Sequence, residues 1–136
     1  MRFFSYGTLM LGEVMELVAG RRFPQRAAAL HGYQRHRLRG EVYPAIVPAA
    51  AARVEGVLWE DLDRTALGRI DRFEGAFYER RQQVVVLDSG ERRPAYVYVL
   101  RSEHQARVLE PDWDEVEFRA RHLRDYLAAC RALSAW

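Results

Sequence analysis

Val84-Val85-Val86-Leu87, then Asp88-Ser89-Gly90-Glu91, then Ala95-Tyr96-Val97-Tyr98-Val99-Leu100 is the stretch whose reading decides the fold class. β-Branched and aromatic residues favour extended backbone, and the polar, glycine-containing segment between the two runs supplies a turn. A hairpin spanning roughly residues 78–100 follows. Just upstream, Asp63 stands where it can cap a helix whose apolar stripe runs Leu67, Ile70 and then position 74, with Gly75 placed to end it in a left-handed conformation. Position 74 is a glutamate.

Outward from this centre the pattern is mixed. Residues 2–6 read as a short strand ending at Gly7, and residues 13–19 have helical spacing closed by Gly20. The opening Met1-Arg2-Phe3-Phe4-Ser5 resembles the start of a signal peptide, but Gly7, Gly12 and Glu13 interrupt the apolar run and favour a first strand. Residues 23–38, punctuated by Gly32 and Gly40, and the proline-flanked run Tyr43-Pro44-Ala45-Ile46-Val47-Pro48 suggest irregular strands at an edge or bulge. Residues 49–52 are alanines that read as a connection, and a further strand starts near Val54 and stops at Glu60-Asp61. Beyond Pro111, Val116, Ala120, Leu123, Leu127 and Cys130 share one helical face, with Asp112 or Asp114 as cap, so a helix over about 112–131 is expected to pack back on the sheet. Strands and helices do not alternate strictly, which indicates α+β rather than a doubly wound parallel sheet. No repeat or Pro/Gly/Ser-rich linker divides residues 1–136, so a single domain is expected.

Composition narrows the chemistry. The chain has 136 residues, of which 49% are hydrophobic and 29% charged, enough for one real core. All 21 basic residues are arginine, and the missing lysine removes Schiff-base chemistry and the phosphate-loop lysine. Nineteen acidic residues are interspersed with them for a net charge of +2, which argues against a nucleic-acid partner. No run approaches the roughly 18 apolar residues of a membrane span. A single cysteine, Cys130, excludes an internal disulfide, so a cytoplasmic location is expected, and its place on the helical stripe reads as packing rather than nucleophile. His31, His36, His104 and His122 are scattered without metal-ligand spacing, and neither Ser5 nor Thr8 has a histidine at a triad motif spacing. No metal is expected. Oligomeric state is not legible.

Two places look chemical. In Tyr6-Gly7-Thr8-Leu9, glycine permits a sharp turn after the first strand. The following amides can then converge on an anion, unless this is an ordinary change of direction. In Asp71-Arg72-Phe73-Glu74-Gly75, Glu74 lies seven residues after Leu67 and returns to nearly the same helix angle, so a carboxylate is predicted on the buried face. Burial and the negative helix end would both raise its proton affinity toward that of a general acid/base. The alternative is a frayed end with Glu74 in solvent or paired with Arg80 or Arg81. Arg35, Arg37 and Arg39 alternate, as a carboxylate-binding row or as a solvated, aggregation-resistant edge. Of the strand tyrosines Tyr33, Tyr43, Tyr78, Tyr96 and Tyr98, Tyr78 is taken as a ligand-contacting residue.

Tyr6-Gly7-Thr8-Leu9, Tyr43-Pro44-Ala45-Ile46-Val47 and Asp71-Arg72-Phe73-Glu74-Gly75 with Tyr78 and Arg80 together resemble, in order and spacing, the motif series of the gamma-glutamylcyclotransferase-like family over about residues 1–100. The tail with Trp113, Phe118, His122 and Tyr126 is similar to the branch containing avirulence-induced plant proteins. The resemblance implies a small mixed β-barrel over about residues 1–100 flanked by helices. It also implies a pocket at the barrel mouth, substrate contacts from Tyr6, Gly7, Thr8, Leu9 and Tyr78, and Glu74 as catalytic residue. The implied reaction is a cofactor-free intramolecular acyl transfer releasing 5-oxoproline from a gamma-glutamyl amine or peptide, an acyltransferase/lyase chemistry. A non-catalytic module binding a small metabolite or peptide on the same fold is the alternative.

Overall fold

The computed structural model describes residues 1–133. Six strands form one mixed sheet: β1 (Phe3–Ser5), β2 (Gln25–Leu38), β3 (Pro44–Trp59), β4 (Tyr78–Leu87), β5 (Arg92–Leu100) and β6 (Val108–Leu109). Their order is β3-β1-β5-β4-β2-β6, and β2 also pairs with β3, so the first five close into a barrel with β6 appended to β2. The β1–β5 pairing is parallel and the others antiparallel. Four helices flank it: α1 (Gly12–Ala19), α2 (Arg64–Glu74), α3 (Glu115–Arg121) and α4 (Leu123–Leu133). This is the α+β barrel that the sequence indicates.

The alternation of β1 explains how one strand serves two cores. Phe4 points into the barrel with Leu30, Ile46, Leu58, Val85 and Val97, whereas Phe3 points outward to Val14, Met15, Ile70 and Phe118 on the helices. At this crossing a Cβ on Gly56 would lie 2.3 Å from the Ser5 carbonyl oxygen and 2.7 Å from the Phe4 ring, so only glycine lets β3 approach β1 so closely.

The hairpin is present as β4 and β5, with Tyr78 opposite Leu100 and Val86 opposite Arg92. The Asp63 carboxylate accepts a hydrogen bond from the Ala66 amide, capping α2 as expected. Gly75 does have positive φ, but at φ 71°, ψ −157° it is not left-handed helical, and it opens a 3-10 turn, Gly75–Phe77, that leads into β4.

Three expectations fail. Residues 49–52 are not a connection: they lie inside β3, as the extra residues of an irregularity in its ladder with β2, where the register jumps from His31–Arg53 to Tyr33–Pro48. Residues 25–38 are one strand rather than irregular pieces. The C-terminal helix breaks at His122 into α3 and α4, its cap is Asp114, and Val116 is 77% exposed. In α4 the expected Leu123, Leu127 and Cys130 do pack on the core, whereas in α3 Phe118 is buried in place of the expected Val116 and Ala120. No described helix is long and apolar enough to cross a membrane.

Candidate active site

Tyr6, Gly7, Thr8 and Leu9 leave β1 and tighten into the 3-10 turn Thr8–Met10, with Met10 and Leu11 amides donating to the Gly7 and Thr8 carbonyls. No described hydrogen bond uses the backbone N–H of Gly7, Thr8 or Leu9. The turn packs against the start of β3 so tightly that a Cβ on Gly7 would meet Pro44 at 2.7 Å. Tyr78 fixes the same proline from β4, its hydroxyl donating to the Pro44 carbonyl at 2.7 Å. Three segments distant in sequence are thereby locked together around one residue.

They enclose a cavity of about 220 Å³ lined by the Tyr6–Leu9 turn, Tyr43, Pro44, Tyr78, Tyr98 and the α2 residues Phe73 and Glu74. Its far wall is α4, through Tyr126, Ala129, Cys130 and Leu133. The structure therefore brings Tyr6, Gly7, Thr8, Leu9, Tyr78 and Glu74 to one cavity. Tyr43, Phe73, Tyr98, Tyr126 and Cys130 line it as well without having been singled out as site residues. For Tyr126 the signal was its place in the aromatic tail.

Glu74 is the one charged side chain among the described lining residues. It is half-buried, and no described hydrogen bond or ion pair engages its carboxyl, because Arg80 is taken by Asp71 at 2.8 Å and Arg81 by Glu79. The frayed, arginine-paired alternative is thus not what the chain adopts. Loss of hydration, reinforced by the nearby negative charge of Asp71, pushes the Glu74 carboxyl up to about 8. Burial likewise raises the hydroxyls of Tyr6, Tyr78, Tyr98 and Tyr126, which remain protonated donors: Tyr6 to the Tyr98 carbonyl at 2.6 Å, Tyr98 to Asp71 at 2.5 Å. Burial pushes the Cys130 thiol up to about 11, the behaviour of a packed thiol and not of a thiolate nucleophile.

Two residues of the arginine row, Arg35 and Arg37, do bind carboxylates, but those of the protein's own C-terminal segment. Arg35 forks onto Asp112 at 2.7 and 3.2 Å and donates to the Tyr6 carbonyl, Arg37 grips Glu117 at 3.0 Å, and the Arg39 amide donates to the Arg107 carbonyl. These residues fasten the C-terminal segment to the barrel.

A barrel with a glycine turn, an unpaired carboxylate and this motif order has a match among known families: residues 3–115 fit the model described as gamma-glutamyl cyclotransferase, AIG2-like. The chain belongs to that family. Among AIG2-like proteins of Arabidopsis thaliana, protein D is 33% identical over 129 residues covering 91% of this chain and 82% of the relative. Protein C is 30% identical over 129 residues, covering 94% and 74% respectively. The solution structure of an Arabidopsis thaliana protein superimposes with a TM-score of 0.73 at 29% identity, over 99% of this chain and 82% of that one. A gamma-glutamyl cyclotransferase structure shares the AIG2-like fold at TM-score 0.66 and 15% identity, over 97% of this chain and 86% of that one. The AIG2-like model ends at residue 115, before α4 begins.

Proposed function

We propose that the protein is a cofactor-independent gamma-glutamyl cyclotransferase-type enzyme with Glu74 as general acid/base. The observation that carries this reading is the Glu74 carboxyl, engaged by no described hydrogen bond or ion pair, lining the same cavity as the Tyr6–Leu9 turn with its pKa pushed up to about 8. The unused amides of Gly7, Thr8 and Leu9 would hold the substrate α-carboxylate, folding the gamma-glutamyl group so that its α-nitrogen faces its own γ-carbonyl.

Glu74 accepts a proton from the α-ammonium group, and the freed amine attacks the γ-carbonyl carbon. The tetrahedral adduct collapses as Glu74 delivers that proton to the leaving nitrogen, breaking the amide C–N bond. A second proton passes from the ring nitrogen to the departing amine, leaving 5-oxoproline, an ammonium product and Glu74 as it began. Positioning supplies much of the acceleration, and the buried carboxyl supplies a base matched to neutral pH. The reaction needs only a small gamma-glutamyl compound, neither nucleic acid nor membrane, and suits a cytoplasmic setting.

The test is release of 5-oxoproline from gamma-glutamyl amides and peptides by the protein and by Glu74→Gln. Turnover that falls by about 10²-fold or more in the variant, with ligand binding retained, is expected. Absence of turnover in the folded protein across the panel would leave a binding module instead.

A further inference from the structure

One arginine reaches the glycine turn from outside the cavity. Arg35, on β2, is not among the described lining residues, yet its Nη1 donates to the Tyr6 carbonyl at 2.7 Å, immediately before Gly7. Its other two nitrogens, Nε and Nη2, fork onto the Asp112 carboxylate at 2.7 and 3.2 Å, and its guanidinium lies 5.4 Å from the centre of the Trp113 ring. Trp113 is buried and anchored in turn, its indole N–H donating to the Val42 carbonyl at 2.8 Å. A planar guanidinium engaged through all three nitrogens, on a side chain only 18% exposed, has its orientation fixed in a way that a surface cation does not.

What Arg35 fixes is a peptide plane. The Tyr6 carbonyl and the Gly7 N–H belong to the same peptide group, and because that group is trans the two point in opposite directions. With the oxygen held toward Arg35, the N–H is set on the opposite face, and no described hydrogen bond uses it. Glycine alone would leave this plane free to rotate. Tyr6 is also pinned at its far end, through its hydroxyl on the Tyr98 carbonyl at 2.6 Å, so the plane cannot swing by moving the whole residue. A charged donor on the oxygen polarises the amide as well, which strengthens the hydrogen bond that its N–H can give.

We propose, on the footing of the cyclotransferase reading, that Arg35 is a positioning residue for the substrate's α-carboxylate: it aims and polarises the Gly7 amide that grips that group, and Asp112, 77 positions along the chain, holds Arg35 to the task. Arg35→Met removes the donors and keeps most of the apolar stem, whereas Arg35→Lys keeps the charge without the fork. For a γ-glutamyl amide, KM should rise at least about tenfold in Arg35→Met and about threefold in Arg35→Lys. In both, kcat should stay within about threefold and the pH at which Glu74 ionises should not move. Should Arg35→Met fail to fold, Arg35→Lys carries the same comparison.

Amide NMR reads the carboxylate contact directly. In the unaltered protein 5-oxoproline should displace the Gly7 resonance, and its dissociation constant should be at least about tenfold weaker in Arg35→Met. The same ring without the carboxylate, 2-pyrrolidinone, should leave that resonance in place. A fall in kcat at unchanged KM, or a Gly7 resonance that answers both rings alike or neither while turnover proceeds, would overturn the positioning role and leave the cyclotransferase reading intact. Absence of turnover with an Arg35-dependent response of Gly7 to 5-oxoproline would remove that reading and keep the carboxylate contact. Absence of both turnover and response would remove both.

Discussion

The Tyr126 hydroxyl lies 3.0 Å from Oγ1 of Thr8, joining α4 to the glycine turn across 118 positions of chain. It is the one described hydrogen bond that spans the cavity from its C-terminal wall to the turn. Tyr126→Phe leaves the buried Thr8 hydroxyl without its partner, and the expected cost is about 1 kcal/mol in denaturant unfolding. KM should rise more than kcat falls, because the bond orders the binding turn and not the proton-transfer group. Steady-state kinetics on the purified variant separates the two parameters.

A second prediction concerns stability and pH. Glu74 binds its proton more tightly folded than unfolded, with a folded value of about 8 against an ordinary 4.5. Between these values the folded state holds the extra proton, so this group lowers stability as pH rises from about 4.5 to 8. Below 4.5 it contributes no penalty, and above 8 the full penalty is present. Glu74→Gln should therefore stabilise the protein by roughly 1–3 kcal/mol at pH 9 and hardly at all at pH 4, even as it abolishes turnover. Thermal unfolding of both proteins across that range checks the sign.

Asp71 raises the proton affinity of Glu74 while accepting hydrogen bonds from Tyr98 and Arg80. Asp71→Asn removes the negative charge and keeps a hydrogen-bonding side chain of the same shape. The ascending limb of kcat/KM against pH, governed by ionisation of Glu74, should move to lower pH in this variant by about half a unit or more. A loss of activity with no displacement of the limb would assign Asp71 a purely structural role.

Two glycines should respond differently to a methyl group. Gly56→Ala drives a Cβ into the Ser5 backbone carbonyl, which cannot move without separating β1 from β3, and a loss of about 3 kcal/mol or more is expected. Gly7→Ala meets only the ring edge of Pro44 and should fold with a smaller loss of about 1–2 kcal/mol, but with the turn displaced and substrate affinity reduced. Urea unfolding alongside KM distinguishes the two.

What was legible in the sequence was what local chemistry dictates. The hairpin showed through its valines and the Asp88-Ser89-Gly90 turn, α2 through its Asp63 cap, and the inward setting of Glu74 through its spacing from Leu67. Residues 49–52 concealed a strand because alanine has little preference for extended backbone; they are held by the β2 pairings on either side of them, His31–Arg53 and Tyr33–Pro48, a tertiary effect. The difference in α3 had a similar origin. A break at His122 resets the helical angle, and burial follows the aromatic Phe118 rather than the aliphatic Val116. Membership of Tyr98 and Tyr126 in the cavity wall depends on closure of the barrel and docking of α4, which no local pattern encodes. The carboxylates that Arg35 and Arg37 hold were hidden for the same reason, since Asp112 and Glu117 lie far along the chain.

The double engagement of β1 sets the order in which the site comes into being. Phe3 pairs with Trp59 on one side and Tyr96 on the other, so the first strand to leave the ribosome must wait for nearly a hundred residues before both flanks are covered. The Tyr6–Leu9 turn hangs from that strand and is shaped only when Pro44 and Tyr78 reach it. A nascent chain halted before β5 would carry Glu74 and every residue of the turn and yet possess no pocket. The cavity is thus completed only by the last elements of the chain, β5 covering the flank of β1 and α4 closing the far wall.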